Sequence, residues 1–227
     1  MTDPVTSELQ IPVGSSGAVS GLLLVPSGAR LVYVLAHGAG AGMRHPFLER
    51  MAEALAQRGV GTLRYQFLYM ERKQRRPDPP ALAVAAVRAA VQAAGERAPG
   101  LPLIAGGKSF GGRMTSTAQA QEPLPGVRGL AFLGFPLHPP GKPAISRADH
   151  LDEVAIPMLF LQGDRDEFAE PLLLRQVLRR LGKRATLHFV KDGDHSFAVP
   201  KRAGRTADEV RAEVCDSLAQ WTGGVVR

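Results

Sequence analysis

Four short apolar runs constrain this 227-residue chain more than any other feature: LVYVLA (Leu31 to Ala36), LPLIA (Leu101 to Ala105), LAFLGF (Leu130 to Phe135) and PMLFLQG (Pro157 to Gly163). Each is continuous rather than alternating, and turn-forming residues bound it. A strand with one wet face alternates apolar and polar side chains, whereas a strand apolar throughout must be covered on both faces. The runs therefore predict a parallel sheet enclosed by helices. Helical patterns do separate them, among them PFLERMAEALAQRG (Pro46 to Gly59) and the alanine-rich ALAVAAVRAAVQAAGERA (Ala81 to Ala98), whose small side chains allow close packing. Near the C-terminus, Thr206 and Glu209 form a capping box ahead of Ala207, Val210, Val214, Leu218 and Trp221 at helical spacing. The earlier segments ELQIPV and AVSGLLLVP, joined by the turn GSSG, read as an antiparallel hairpin.

The expected architecture is thus an α/β domain spanning residues 1–227. It has a mostly parallel central sheet, helices on both faces and an N-terminal antiparallel hairpin. The proline-rich loop FPLHPPGKP (Phe135 to Pro143) lies only about twenty residues before the next strand, too few for a folded cap. A site beneath it should be open.

Composition excludes several classes of function. Hydrophobic residues make up 44% and charged residues 22%, values of a soluble globular chain, and no apolar run reaches membrane length. The opening MTDPVTSELQIPVGSS lacks a basic segment followed by an apolar one, so a cytoplasmic protein is expected. The lone Cys215 allows no intrachain disulfide framework and reads as a packed helix residue. The net charge of +7 comes from scattered clusters, RKQRR, RQVLRRLGKR and KRAGR, without interleaved aromatics. They read as solvated surface, so neither a nucleic-acid nor a membrane partner is expected.

The chemistry centres on GGKSFGG. A phosphate-binding loop of the form G-x-x-x-x-G-K-[ST] would need glycine at position 102, which is Pro102. The same residues fit G-x-S-x-G: Gly107, Lys108, Ser109, Phe110, Gly111, after the strand LPLIA and before the helical RMTSTAQAQ. That is the order of a nucleophile elbow, where a serine sits on a strained turn and flanking glycines let strand and helix approach. A serine hydroxyl needs a base, and the base needs an acid to orient it. His195, in the loop GDHSF after the strand ATLHFV, is the candidate base. The acid lies in QGDRDEF: Asp166 is preferred by its position three residues beyond Gly163, with Asp164 next and Glu167 behind it. Helix capping before PLLLRQVLRRL is the alternative account of these acids. For the oxyanion, the amide of Phe110 is one candidate donor. The loop HGAGAG supplies the other, Ala39 preferred and Gly38 the alternative, with His37 assigned to fixing the loop. Lys108, Arg44 and Arg113 are candidates for an anion-attracting entrance. His45, His138, His150 and His188 are too dispersed to form a metal site, and in GAGAG the third glycine that a G-x-G-x-x-G dinucleotide fingerprint requires would fall on Met43. No cofactor is expected.

With these residues in place, the chain resembles the α/β-hydrolase superfamily from about Leu22 to Trp221. More narrowly it is similar to small hydrolases related to dienelactone hydrolase, a group that includes testis-expressed protein 30 and the hydrolase-like region of a nonspecific-lethal complex subunit. The segments carrying this are HGAGAGMRHPF, RYQFLYMERKQRRPDPP, GGKSFGGRM, GFPLHPPGKP, LFLQGDRDEF and GDHSF. The resemblance implies a serine hydrolase fold with Ser109, Asp166 and His195 as the triad, acting on a small-molecule acyl ester. A scaffold with little turnover and an acyltransferase are the alternatives. One departure is YQFLYME, where the family leads one to expect asparagine or proline near Gln66 and Leu68, a change placed at the pocket wall. Substrate identity and oligomeric state are not encoded in these motifs.

Overall fold

The computed structural model describes residues 6–226. Strands β1 (Thr6–Pro12) and β2 (Ala18–Leu24) form the expected hairpin, closed by the 3-10 turn Gly14–Ser16. Then follow β3 (Leu31–Ala36), helix α1 (Pro46–Ala56), β4 (Val60–Tyr65), the single turn α2 (Leu68–Glu71) and α3 (Pro80–Arg97). The second half runs β5 (Leu103–Lys108), α4 (Phe110–Gln121), β6 (Val127–Leu133), β7 (Met158–Gly163), α5 (Pro171–Leu181), β8 (Ala185–Val190) and α6 (Ala207–Val225). The eight strands lie in the order β1-β2-β4-β3-β5-β6-β7-β8, and β2 is antiparallel to both its neighbours while every later pair is parallel.

The continuous apolar runs are explained by two cores. Along β3, Leu31, Tyr33 and Leu35 face one side with Leu48, Met51 and Leu55 of α1 and Val210, Val214 and Leu218 of α6. Val32, Val34 and Ala36 face the other, with Ala83, Val87 and Ala90 of α3, Met114 of α4 and Leu174 of α5. Strands β6 and β7 divide in the same way, Phe132 and Phe160 entering the second core and Leu133 and Leu161 the first. A leucine buried this way stabilises the fold by roughly 1.5–3 kcal/mol.

Strand β4 is not among the runs the sequence singles out. Its Arg64 sits in a central strand and is 5% exposed. The charge is tolerated because the guanidinium donates to the Met43 carbonyl at 3.1 Å and lies 3.7 Å from Glu49. The capping box of α6 is present, Thr206 accepting from the Glu209 amide and Glu209 from that of Thr206. No helix among the described residues is long and apolar enough to cross a membrane.

Topology fixes where a site can form. Strand β3 lies between β4 and β5, so the chain leaves β3 toward one edge and β5 toward the other. The loops after these two strands diverge and open a crevice at their carboxyl ends. Both HGAGAG and the Ser109 turn lie there. Between β6 and β7 the chain forms only the 3-10 segment Ser146–Glu153, and the loop carrying Pro139 and Pro140 is tied down through the Leu137 and His138 amides to the Phe168 carbonyl.

Candidate active site

Ser109 occupies a left-handed turn, φ 50° and ψ −115°, between β5 and α4. Such a conformation costs a non-glycine residue about 1–3 kcal/mol, and the surrounding structure imposes it. The amide of Ser109 donates to the Leu133 carbonyl, and its own carbonyl accepts from Arg113 at the start of α4. The two G-x-S-x-G glycines are explained by crowding. A Cβ on Gly107, whose φ is 148°, would stand 2.3 Å from the Ala36 carbonyl oxygen; one on Gly111 would stand 2.5 Å from that of His37. Gly107→Ala should therefore destabilise the protein by about 3 kcal/mol or more, lowering Tm by roughly 6–12 °C in a thermal melt, because clash and strain add.

His195 reaches the turn from the loop after β8. Its Nε2 lies 2.8 Å from Ser109 Oγ and its Nδ1 lies 2.7 Å from Asp166 Oδ2, while its ring lies over Phe168 with centroids 4.3 Å apart. Asp166 is 2% exposed, and its oxygens are occupied. Oδ2 also accepts from the Gln162 side-chain amide, and Oδ1 accepts from the Phe168 backbone amide at 2.8 Å. Gln162 is oriented in turn, its Oε1 accepting from the Phe135 amide. Since the carboxylate only accepts, Nδ1 carries the proton and Nε2 is free to accept one from Ser109. Asp164 does not join this chain; its Oδ1 is buried without a partner among the described residues. Nor does either aspartate cap α5, which begins after Glu170 with Pro171 in its first turn and no side-chain cap.

The loop after β3 is braced from behind by the segment following β4. His37 is fully buried; its Nε2 accepts from the Phe67 amide at 3.1 Å, so Nδ1 holds the proton and donates to the Gly38 carbonyl at 2.7 Å. Burial lowers the His37 pKa to about 4, so the ring is neutral, and fixing the loop is its evident task. The Gly40 amide donates to Tyr69 Oη, the Met43 amide to Gln66 Oε1 and the Ala41 amide to the Gly38 carbonyl. Gln66 and Leu68, expected at the pocket wall, instead brace the loop and enter the core behind it. Ala39, between these anchored neighbours, lines the same cavity as Ser109. Phe110 opens α4, where an amide has no intrahelical acceptor.

A cavity of about 360 Å³ lies above Ser109, lined by Gly38, Ala39, Phe47, Leu48, Lys108, Phe168 and His195. Of the three cations expected at an entrance, Arg44 points elsewhere and pairs with Glu8 of β1 at 2.5 Å, drawn by the opposite charge. Arg113 is half-buried along α4, and burial, followed by the charge of Arg147, lowers its pKa. Only Lys108 lines the cavity, and its ammonium is engaged by the His195 carbonyl oxygen at 2.6 Å. Gln162, Phe168, Tyr69 and Phe47 complete the site without any local sequence signal, and each also meets a residue of another segment: Phe135, His195, Gly40 and Phe197 respectively.

A family model described as an alpha/beta hydrolase domain matches residues 29–223. The chain belongs to the α/β-hydrolase family. Solved structures similar to this α/β hydrolase include a dienelactone hydrolase from Anabaena variabilis, with a TM-score of 0.80 and 21% identity over 100% of both chains. Another is an α/β serine hydrolase without a lid from Xanthomonas campestris, with a TM-score of 0.73 and 21% identity over 97% of this chain and 96% of that one. A serine hydrolase homologue from Coxiella burnetii matches with a TM-score of 0.73 and 20% identity over 96% and 98%. At these identities the likeness speaks for the fold, an open and mostly parallel sheet wrapped by helices.

Proposed function

We propose that this α/β hydrolase cleaves small carboxylic esters through a covalent acyl-enzyme. The observation that carries the reading is the chain of short contacts Ser109 Oγ to His195 Nε2 to Asp166, at 2.8 and 2.7 Å, with the serine held on a strained turn at the floor of a cavity. In this reading Ser109 Oγ attacks the ester carbonyl as its proton passes to His195 Nε2. Asp166 holds the ring and stabilises the imidazolium that forms. The amides of Phe110 and Ala39 receive the oxyanion, aided by the N-terminal end of α4. The C–O bond to the alcohol then breaks as His195 returns the proton to the leaving oxygen. A water, deprotonated by the same imidazole, releases the acid and restores Ser109.

The cavity is at the lower end of the range for ligand sites, which favours a substrate of few atoms. A second hollow of about 260 Å³ lies beside it, lined by Met51, Phe197, Val210 and Val214. Phe47 lines both, and its ring stacks on Phe197 with centroids 6.0 Å apart and planes within 10°. Phe47→Ala should join the two spaces. In a series of p-nitrophenyl esters, the ratio of octanoate to acetate kcat/KM is expected to rise about tenfold, the effect of burying about two further methylenes at roughly 0.8 kcal/mol each.

Labelling with a fluorophosphonate probe tests the nucleophile directly. The unaltered protein is expected to label and Ser109→Ala to remain unlabelled. Equal labelling of both would remove Ser109 from the mechanism, and labelling of neither would favour a binding role without turnover.

A further inference from the structure

The lysine directly before Ser109 is the expected entrance cation whose ammonium faces inward. Its Nζ donates to the backbone carbonyl of His195 at 2.6 Å, joining residues 87 positions apart. It also lies 5.8 Å from the centroid of the Phe197 ring. A Cβ built on Gly134 would stand 3.0 Å from this nitrogen and 3.4 Å from His195 Cε1, so ammonium and imidazole border the same methyl-sized space at the end of β6. The loop carrying His195 is shaped by its own Asp194, whose Oδ1 accepts from the Ser196 and Ala198 amides, and is tied to the end of β7 by the Arg165 amide on the Gly193 carbonyl. Phe197 in the same loop has φ 63°, a strained value for an aromatic residue. None of those bonds joins the loop to the serine turn; the Lys108 bond does.

We propose that Lys108 is a positioning residue that clamps the His195 loop to the nucleophile turn and holds a positive charge beside the imidazole. The proposal rests on the reading of Ser109 and His195 given above and deepens it. A one-residue offset from the nucleophile puts clamp and nucleophile on the same rigid turn, so movement of one is movement of the other. The charged and titratable groups facing His195 are Asp166 from the β7 loop, Asp194 from its own loop, Lys108 from the turn and His45 across the cavity. Burial lowers the Lys108 pKa to about 8, while Asp166 and Asp194 pull it upward. The side chain is therefore mostly charged at pH 7 and loses its proton just above. Loss of that charge weakens the bond to the His195 carbonyl.

The experiment compares pH profiles of p-nitrophenyl acetate hydrolysis for the unaltered chain, Lys108→Met, Lys108→Gln and Lys108→Arg, with melting curves to establish folding. For the neutral variants kcat is expected to fall about 10- to 100-fold with KM changed less than threefold, because the base is misplaced rather than the substrate lost. The unaltered chain should lose activity above about pH 8. That decline should be absent in the Met and Gln variants and displaced upward in Lys108→Arg, which keeps the charge. A folded neutral variant with unaltered kcat and an unmoved alkaline limb overturns the proposal. Absence of Ser109-dependent labelling in the unaltered chain overturns instead the reading of the site beneath it.

Discussion

Replacing Ser109 by alanine is expected to lower kcat/KM for a p-nitrophenyl ester by about 10⁴- to 10⁶-fold, leaving the fold intact. The size of the effect follows from the loss of the covalent route. Without Oγ, water must attack the carbonyl directly, and His195 Nε2 loses the group 2.8 Å away whose proton it is set to take. His195→Ala should fall nearly as far, and the double variant no further, because the two act as one unit. Stability should move the other way if at all. The alanine still occupies φ 50°, but a partly buried hydroxyl no longer has to be satisfied, so the melt of Ser109→Ala should lie within a few degrees of the parent. Additive losses in the double variant would sink the assignment of a shared role.

The second large effect separates two aspartates that stand two residues apart. Asp166→Asn is expected to reduce kcat by about 10³- to 10⁴-fold, and Asp164→Asn by less than tenfold, measured with the same ester. The hydrogen-bond network around Asp166 supplies the reason. If the Asn oxygen takes the Oδ1 position it satisfies the Phe168 amide, but its NH₂ then faces two donors, His195 Nδ1 and Gln162 Nε2. His195 escapes only by moving its proton to Nε2, which can no longer accept from Ser109. If the oxygen takes the Oδ2 position, the NH₂ confronts the Phe168 amide instead. Gln162 cannot relieve the conflict by turning over, because its Oε1 is held by the Phe135 amide. Asp164 has no bond to this network, so its amide variant leaves the histidine tautomer alone. A larger loss from Asp164→Asn would reverse the choice of acid.

Much of this site was legible in the chain because its parts are local motifs in a fixed order. The elbow needs glycines two residues either side of Ser109, and the crowding that demands them, a Cβ within 2.5 Å of a neighbouring carbonyl, is a property of any strand and helix meeting at that angle. The strands announced themselves by being apolar on both faces. Strand β4 did not, since Gly61, Thr62 and Arg64 interrupt it, and the partners that make Arg64 tolerable, Met43 and Glu49, lie in another segment. The acid was narrowed to one short loop and no further by spacing. Spacing says as little of the entrance cations: a positive side chain next to Ser109 or to the HGAGAG loop says nothing of where its charged end lies. Arg44 found Glu8, Arg113 settled near Arg147, and Lys108 turned inward to a carbonyl 87 residues away.

By itself the sequence determined the layered α/β architecture, the glycine-flanked serine turn and the order in which the serine, the acidic loop and the histidine follow one another. All three depend on short-range patterns: periodicity of hydrophobic residues, glycine at crowded positions, polar loops after buried strands. Only the tertiary structure decided which aspartate meets His195, that His37, Gln66 and Tyr69 brace the loop carrying Ala39, and that Lys108 grips the histidine loop rather than the solvent. These depend on distances of about 3 Å between residues tens of positions apart, and a hydrogen bond's direction is set by the packed backbones that carry its two ends.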